Sequence, residues 1–159
     1  MTEQSRLAYF LDSSAIAKRY AEEVGTEWVE TLCASHAGNI IALAHIGMVE
    51  VAAALAAKQR TNVITSSQYE DALTNLISDG QEQYRLVVVD KGVIDRAIQL
   101  ARRRKLRGCD AIQLASALAL NESLVEDNLP ALTFVAADND LIAAASGEGL
   151  ATENPNLHP

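Results

Sequence analysis

Residues 7–14 read Leu7-Ala8-Tyr9-Phe10-Leu11-Asp12-Ser13-Ser14, five apolar residues followed abruptly by three polar ones. A short, continuous apolar run is typical of a strand that is covered on both faces, as in a parallel sheet. Asp and Ser are preferred caps of helix N-termini, and the sequence therefore predicts a helix over residues 15–23. A buried strand that leads directly into a helix is the repeating unit of α/β domains.

The same alternation of strands and helices continues along the chain. Further apolar strand candidates are residues 40–44, 86–89 and 132–135. This pattern predicts an α/β fold with a mainly parallel sheet, whose ligands gather at the carboxyl ends of the strands. Helices are predicted over residues 24–32, 45–59, 93–105, 110–120 and 139–146 and from Thr65 through a stripe of Tyr69, Leu73, Leu76 and Ile77, with a break at Gly108 and a loop over 122–128.

The chain has 159 residues and a mass of 17.1 kDa, which predicts a single domain, residues 1–159, with a short C-terminal tail from about residue 153. Hydrophobic residues make up 49% of the sequence, so a disordered chain is excluded. The 13 Lys and Arg residues and 21 Asp and Glu residues give a net charge of −8. A general attraction to nucleic acid or to an anionic membrane is therefore excluded, and a polyanionic substrate needs a local basic patch or a bound cation.

The sequence predicts a cytoplasmic protein without a membrane span. Two cysteines, Cys33 and Cys109, are too few for a disulfide framework, and residues 1–6 lack the pattern of a signal peptide. The longest mostly apolar stretch, residues 40–57, contains His45 and Glu50 and indicates a strand followed by a buried helix.

Two aspartates end predicted strands: Asp12 follows the first strand and Asp138 follows the fourth. If these strands are neighbours, both carboxylates face one crevice, where like charges repel and raise each other's pKa. Mg²⁺ or Mn²⁺, which prefer carboxylate and water oxygens, would offset this repulsion. The alternative is that each aspartate is only a turn residue or a helix cap.

Glu50, Asp110 and Asp140 extend the set of candidate carboxylates. Glu50 is the only charged residue in 46–57 and has apolar helical neighbours, so it needs either a partner or a place at a solvated edge. Asp110 stands at a predicted helix start, and Asp140 follows Asp138 by two residues. Each of these two is either a site carboxylate or an acid that favours the helix dipole.

Converging carboxylates without Cys or His ligands indicate metal-assisted hydrolysis of a phosphodiester, in which one or two cations activate a water and stabilise the attacking and leaving oxygens. The hydroxyl of Ser13 could contact the metal or a carboxylate. His36, His45 and His158 show no metal-ligand spacing, and the chain has neither a Walker A loop nor a GxGxxG motif.

Four segments carry these acids in order: residues 11–16 (LDSSAI), 48–51 (MVEV), 109–115 (CDAIQLA) and 134–141 (FVAADNDL). Together they resemble the PIN domain family, and in order and spacing its stand-alone VapC-type toxins. The resemblance implies a three-layer α/β/α sandwich and a Mg²⁺- or Mn²⁺-dependent ribonuclease. It also implies a catalytic set of Asp12, Glu50, Asp110 and Asp138, with Asp12, Asp110 and Asp138 as metal ligands and Asp140 as an extra acid.

The same resemblance implies one departure and two partners. Many members carry Thr or Ser two residues before the fourth acid, where this chain has Ala136, so a hydroxyl that positions water or metal is missing there. A VapB-type antitoxin that blocks the crevice is implied, together with a homodimer that pairs with it.

A basic cluster lies just upstream of Asp110. If the chain turns at Gly108, these side chains border the crevice and contact the phosphates of RNA. The alternative is that they only favour a helix C-terminus. Lys18 and Arg19 are weaker candidates for the same role. The cluster consists of Arg102, Arg103, Arg104, Lys105 and Arg107.

Other functions remain open on the sequence alone. An aspartyl-nucleophile phosphatase would need a second acid two residues after Asp12, where Ser14 stands. A phospho-receiver would need paired acids near the first strand and a lysine after a late strand, and the chain shows neither pattern. A non-catalytic or degenerate PIN-like binding module would keep the fold without cutting RNA.

Overall fold

Within residues 6–159, which the computed structural model describes, five strands form one all-parallel sheet. Residues 1–5, which belong to the segment without a signal-peptide pattern, lie outside the described residues. The strands are β1 (Ala8–Leu11), β2 (Ile40–Ala44), β3 (Arg85–Val87), β4 (Thr133–Val135) and β5 (Ala151–Glu153). The helices are α1 (Ser13–Ile16), α2 (Thr26–Cys33), α3 (His45–Arg60), α4 (Ser66–Glu82), α5 (Lys91–Arg103), α6 (Gly108–Glu126) and α7 (Asn139–Gly147).

The strands lie in the order β3-β2-β1-β4-β5. The chain moves outward from β1 through β2 to β3 and then returns to place β4 on the other side of β1. The direction of winding therefore reverses between β1 and β4, and the crevice at such a switch point is where open α/β sheets bind ligands. The backbone N–H of Asp12 donates to the carbonyl of Val135 at 3.0 Å, so the pairing of β1 with β4 extends to the residue that ends β1.

Both faces of the sheet are covered by helices. Phe10 of β1 packs in a core formed with α5, α6 and α7, whereas the next residue, Leu11, packs in a second core formed with α1, α2, α3 and α4. All five residues of β2 are buried, as expected for a strand between two layers. The fold is therefore the predicted three-layer α/β/α sandwich with a parallel central sheet.

Helix α6 is longer than predicted at both ends. It begins at Gly108 rather than after it, and it continues through most of the loop predicted over residues 122–128. That loop prediction is wrong because Leu124 is fully buried, and a helical backbone is what turns it into the core. The helix ends where Asn128 adopts a positive φ of 56°, and the N–H of Leu129 donates to the carbonyl of Leu124 at 2.8 Å.

The first two helices also differ from the prediction. The helix predicted over residues 15–23 stops early, passing from α1 into a 3₁₀ turn over Ala17–Arg19. The hydroxyl of Thr26 accepts the N–H of Glu23 and donates to the carbonyl of Lys18, which pairs two groups that a longer helix would have paired internally. Val24 precedes α2 and is 55% exposed, so the stripe predicted from residue 24 is wrong at its first position.

The C-terminal residues add an edge strand, β5, that the hydrophobic pattern does not predict. β5 pairs in parallel with β4, and a 3₁₀ turn over Pro155–Leu157 follows it. Pro155 packs against Gly25, and the ring of His158 stacks on Trp28 with 4.4 Å between centroids. None of the helices in residues 6–159 is long and apolar enough to span a membrane.

Gly25 should be intolerant of a side chain. Its φ is +89°, and an added Cβ would lie 2.4 Å from the carbonyl oxygen of Pro155. We expect Gly25→Ala to lower the free energy of unfolding by about 3 kcal/mol, because backbone strain and a clash with the C-terminal segment add together. Gly38→Ala is the matched control: its φ is +68°, but an added Cβ would have no atom within 4 Å, so a loss of about 1 kcal/mol is expected. Equal losses in urea unfolding would contradict this account.

Candidate active site

A cavity of about 430 Å³ opens at the switch point between β1 and β4. Larger cavities of about 510 and 710 Å³ lie beside Arg19 and Tyr20, away from the predicted site acids. The smaller cavity is therefore singled out by its chemistry rather than by its size. Its wall contains Asp12, Ser13, Ser14, Glu50, Asp110 and Asp138, together with residues 107–109 at the start of α6.

Asp12 is held at the buried end of β1, where it is only 3% exposed. Its Oδ1 accepts the N–H of Ala15 at 3.0 Å and the hydroxyl of Ser14 at 2.7 Å. Burial raises the pKa of Asp12 to about 7 in spite of these two hydrogen bonds, and the nearby carboxylates of Asp110 and Glu50 add to the rise. Near neutral pH the carboxyl group is therefore balanced between its neutral and ionised forms, and a cation beside it would favour the ionised form.

Ser14 connects the ends of the two strands that form the switch point. Its Oγ donates to Asp12 and accepts the backbone N–H of Ala137 at 3.0 Å. The hydroxyl that holds Asp12 thus comes from Ser14, whereas Ala136, which has no hydroxyl, is fully buried. The sequence analysis missed this role, although a serine two residues after a strand-ending aspartate is a signal for such a turn.

Glu50, which lies on α3, is half-buried and has hydrogen-bond partners. Its Oε2 accepts the hydroxyl of Ser13 at 3.2 Å, and its Oε1 accepts the side-chain amide of Gln113 at 2.7 Å. Gln113 is 1% exposed, and within residues 6–159 its Oε1 has no hydrogen-bond partner. Gln113 was also missed, although it is a polar residue in an apolar run and follows Asp110 by three positions, on the same face of α6.

Asp110 lies in the first turn of α6, where the helix dipole favours an acid. Its Oδ2 accepts the Nε–H of Arg107 at 3.2 Å, with the Asp110 side chain 17% exposed and the Arg107 side chain 84% exposed. The hydrogen bond and charge of Asp110 raise the pKa of the Arg107 guanidinium. In the metal-free protein the charge of Asp110 is therefore balanced by a cation that remains largely in solvent.

Asp138 is the N-terminal cap of α7. Its Oδ1 accepts the backbone N–H groups of Asp140 at 2.8 Å and Leu141 at 3.2 Å. Capping and a role in the cavity are compatible, because capping uses only one of the two oxygens. Asp140 is exposed and lines a neighbouring cavity rather than the one that contains the other four acids.

The basic cluster divides into residues with different environments. Arg103 and Arg104 both pair with Glu148, and Arg102 donates to Gln99 at 3.1 Å. Arg104, Lys105 and Arg107 line the cavity next to the acids.

Lys18 and Arg19, the weaker candidates, are used within the protein. Lys18 pairs with Glu23 at 3.0 Å, and Arg19 donates to Gln83 at 2.8 Å and to the hydroxyl of Tyr84 at 2.7 Å. None of these partners lines the acidic cavity, so both side chains are engaged elsewhere in the protein.

The donor chemistry of the cavity fits a hard divalent cation. Its candidate ligands are carboxylate and hydroxyl oxygens, which Mg²⁺ and Mn²⁺ prefer. In the part of the chain that the structure describes, no three His, Cys, Asp or Glu side chains converge closely enough to hold one ion as they stand. Binding of an ion would therefore require at least one carboxylate to rotate inward.

The sequence profile of the PIN domain family matches residues 9–145. The chain belongs to this family, as its four acidic segments predict. Two curated relatives from Mycobacterium tuberculosis, Ribonuclease VapC45 of strain CDC 1551 / Oshkosh and Ribonuclease VapC49 of strain ATCC 25618 / H37Rv, are each 34% identical to it over 154 residues. Each alignment covers 96% of this chain and 99% of the relative.

Solved structures share the fold. PAE2754 from Pyrobaculum aerophilum superposes with a TM-score of 0.63 at 19% identity, over 99% of this chain and 91% of that one. A toxin–antitoxin complex from Klebsiella pneumoniae gives 0.61 at 14% identity, over 92% and 97%. VapBC2 from Rickettsia felis, bound to a DNA fragment from its promoter, gives 0.62 at 15% identity, over 93% and 98%. At these identities the likeness shows the fold alone.

Removing the charge of Asp12 should stabilise the metal-free protein. Folding raises the pKa of Asp12 from 3.8 to about 7, so the folded protein holds this proton more tightly than the unfolded protein does. The free energy of unfolding of the wild type therefore falls as the pH rises through this interval. Asp12→Asn keeps an Oδ1 acceptor for Ser14 and Ala15 but carries no charge. In urea unfolding with a chelator, we expect its advantage over the wild type to be small at pH 4 and to reach on the order of 4 kcal/mol at pH 8.

The control is Asp90→Asn, because Asp90 is an exposed helix cap that accepts the N–H of Val93. The control variant should show no such growing advantage. If the free energy of unfolding of Asp12→Asn equals that of the wild type at every pH, burial of the Asp12 carboxylate does not destabilise the protein as expected.

Proposed function

We propose that this protein is a Mg²⁺- or Mn²⁺-dependent endoribonuclease and the toxin of a toxin–antitoxin pair. The observation that carries the proposal is the convergence of Asp12, Glu50, Asp110 and Asp138 on one cavity at the switch point of a PIN-type sheet. The names of the two relatives at 34% identity support RNA as the substrate.

Asp12, Asp110 and Asp138 are the residues proposed to hold the ion. Within residues 6–159, each keeps one carboxylate oxygen that accepts no hydrogen bond, while its other oxygen is used by Ser14 and Ala15, by Arg107, or by the start of α7. When bound, Mg²⁺ or Mn²⁺ supplies an activated water as nucleophile and stabilises the charge that develops on the phosphate. The free oxygens of the three aspartates are the proposed metal ligands.

Glu50 is proposed to orient the attacking water. Ser13 and Gln113 each use one lone pair of its carboxylate, which fixes its rotation and leaves other lone pairs for a water in the cavity. Ser13 and Asp140 are the proposed auxiliary residues of the site. Ser13 acts through Glu50, whereas Asp140 lies in the neighbouring cavity.

The basic cluster, Arg102 to Lys105 with Arg107, is proposed to contact RNA phosphates on either side of the bond that is cut. These contacts would supply the local attraction that a net charge of −8 does not. Arg103 and Arg104 pair with Glu148, so a phosphate that binds them must compete with that carboxylate.

A VapB-type antitoxin is the proposed protein partner, and a homodimer is the proposed assembly that binds it, with the cytoplasm as the proposed location. Two structures with the same fold, a toxin–antitoxin complex from Klebsiella pneumoniae and VapBC2 from Rickettsia felis, support a partner of this kind. Co-expression with the product of an adjacent small gene, followed by size-exclusion chromatography with light scattering, tests both the complex and its stoichiometry.

Charge removal at the site should abolish metal-dependent cleavage. We expect Asp12→Asn and Asp110→Asn to reduce Mg²⁺-dependent cutting of RNA to the level of a reaction without enzyme, because each variant removes a charged ligand. The measurement is gel analysis of end-labelled RNA with Mg²⁺, with Mn²⁺ and with chelator. Asp90→Asn, purified in the same way, removes an exposed helix-capping charge outside the cavity and should cut like the wild type.

Undiminished cutting by both site variants would reject the mechanism. If the wild type binds Mn²⁺ but cuts no RNA under any of these conditions, the non-catalytic PIN-like binding module becomes the better description.

Gln113 should act as a positioning residue for Glu50. We expect Gln113→Met to lower kcat by about 10- to 100-fold with little change in KM, because it removes the amide that holds Oε1 of Glu50. Stability should not fall, since Met has a similar volume and removes a buried acceptor that lacks a partner.

Ser116→Ala is the matched control, because Ser116 is a fully buried polar residue of the same helix whose hydroxyl donates to the carbonyl of Ile112. Wild-type kcat in Gln113→Met, or a loss that merely follows the fraction of unfolded protein, would show that Gln113 has no role in positioning.

A further inference from the structure

A second cavity, of about 530 Å³, adjoins the acidic cavity at the start of α7. The two share Arg107, Asp110 and Asp138 in their walls, so they are continuous around these side chains. A strand of RNA whose scissile phosphate lies at the acids would therefore pass through this second space, which we call the adjoining cavity.

The inner wall of the adjoining cavity is apolar. It is formed by Ala101 at the end of α5, Leu106 in the α5–α6 connection and Leu141 in the first turn of α7. Leu141 is buried in the core beneath, which keeps this wall fixed. An apolar wall beside the acidic cavity is suited to the face of an unstacked nucleobase, since proteins that recognise single-stranded RNA commonly cover such faces with side chains.

The positive charge of the adjoining cavity is concentrated in two side chains. Lys105 is exposed and, among residues 6–159, has no carboxylate within 4 Å. Arg107 is also exposed and is anchored only through Nε, so its terminal nitrogens are available for a phosphate. Arg104, by contrast, pairs with Glu148 and packs closely against Gly147, where an added Cβ would lie 2.6 Å from the guanidinium. Arg104 is therefore part of the wall.

Asp140 places a carboxylate in the wall of the same space. It lines both the adjoining cavity and a further cavity of about 330 Å³ that contains Arg103, Arg104 and Lys105. A carboxylate repels a phosphate but accepts a hydrogen bond from a hydroxyl. In a nucleotide the group that fits this preference is the ribose 2′-hydroxyl, which RNA has and DNA lacks.

We propose that the adjoining cavity is a subsite for one nucleotide of single-stranded RNA, next to the scissile phosphate. The phosphate of this nucleotide binds Lys105 and Arg107, its base covers the apolar wall, and its 2′-hydroxyl donates to Asp140. This assignment rests on the proposed ribonuclease function and gives Asp140 a role in substrate selection rather than in metal binding.

The phosphate contact is tested with Lys105→Ala on a single-stranded RNA substrate in Mg²⁺. We expect KM to rise about fivefold with kcat unchanged, and the slope of log KM against log salt to fall by about 0.7, the value for one phosphate contact on a single strand. Arg85→Ala is the charge-matched control, because Arg85 is exposed at the start of β3, on the edge of the sheet opposite the site. Its KM and salt slope should equal those of the wild type.

The hydroxyl contact is tested with Asp140→Ala on three substrates: all-RNA, and two RNAs with a single 2′-deoxynucleotide on the 5′ or on the 3′ side of the cleaved bond. The wild type should cut one of the two substituted substrates less efficiently than all-RNA, whereas Asp140→Ala should cut that substrate and all-RNA equally. Circular dichroism confirms that α7 is intact in the variant.

The outcomes separate this subsite from the general function. If the wild type cuts RNA but Lys105→Ala behaves like Arg85→Ala, or if Asp140→Ala discriminates against the deoxy substrate as the wild type does, the subsite is overturned and the ribonuclease function stands. If the wild type does not cut RNA at all, both are overturned.

Discussion

The carboxylate of Asp12 lies at the carboxyl end of β1, where water cannot solvate its charge. Burial raises its pKa to about 7, and hydrogen bonds from Ser14 and Ala15 offset this only in part. Asp110 and Glu50 add negative charge nearby, which increases the cost. A neutral side chain would be more stable at this position, and the proposed divalent cation would offset the cost of the acid.

The topology of the sheet brings the other acids to this buried charge. Because β4 lies beside β1, Asp12, which directly follows β1, and Asp138, three residues after the end of β4, line the same cavity at the switch point. Asp12, Asp110 and Asp138 each lie at the start of a helix, where backbone N–H groups and the helix dipole favour a carboxylate. The negative charges of the site are therefore stabilised by neutral backbone N–H donors. Arg107 is the one basic side chain that the structure describes in the cavity wall.

The sequence predicted what depends on local pattern and could not predict what depends on distant partners. Buried apolar strands that end in aspartate are visible in one dimension, and they predicted a parallel α/β sheet with Asp12 and Asp138 in one crevice. Glu50 and Asp110 were recognised as acids on predicted helices, and the three-layer sandwich was implied by the resemblance to the PIN family. The link between Gln113 and Glu50 joins residues 63 positions apart, and no periodicity indicates it. The pairing of Arg103 and Arg104 with Glu148 is equally non-local. The loop predicted over residues 122–128 was wrong because its polar composition concealed one fully buried position, Leu124.

The most direct test of this account is a diffraction experiment on crystals of the protein soaked in Mn²⁺, with the ion located by its anomalous signal. The account predicts a peak in the acidic cavity, about 2.1 Å from the free carboxylate oxygens of Asp12 and at least one of Asp110 and Asp138. A cavity without a peak at millimolar Mn²⁺, or an ion bound only at carboxylates elsewhere on the surface, would contradict it.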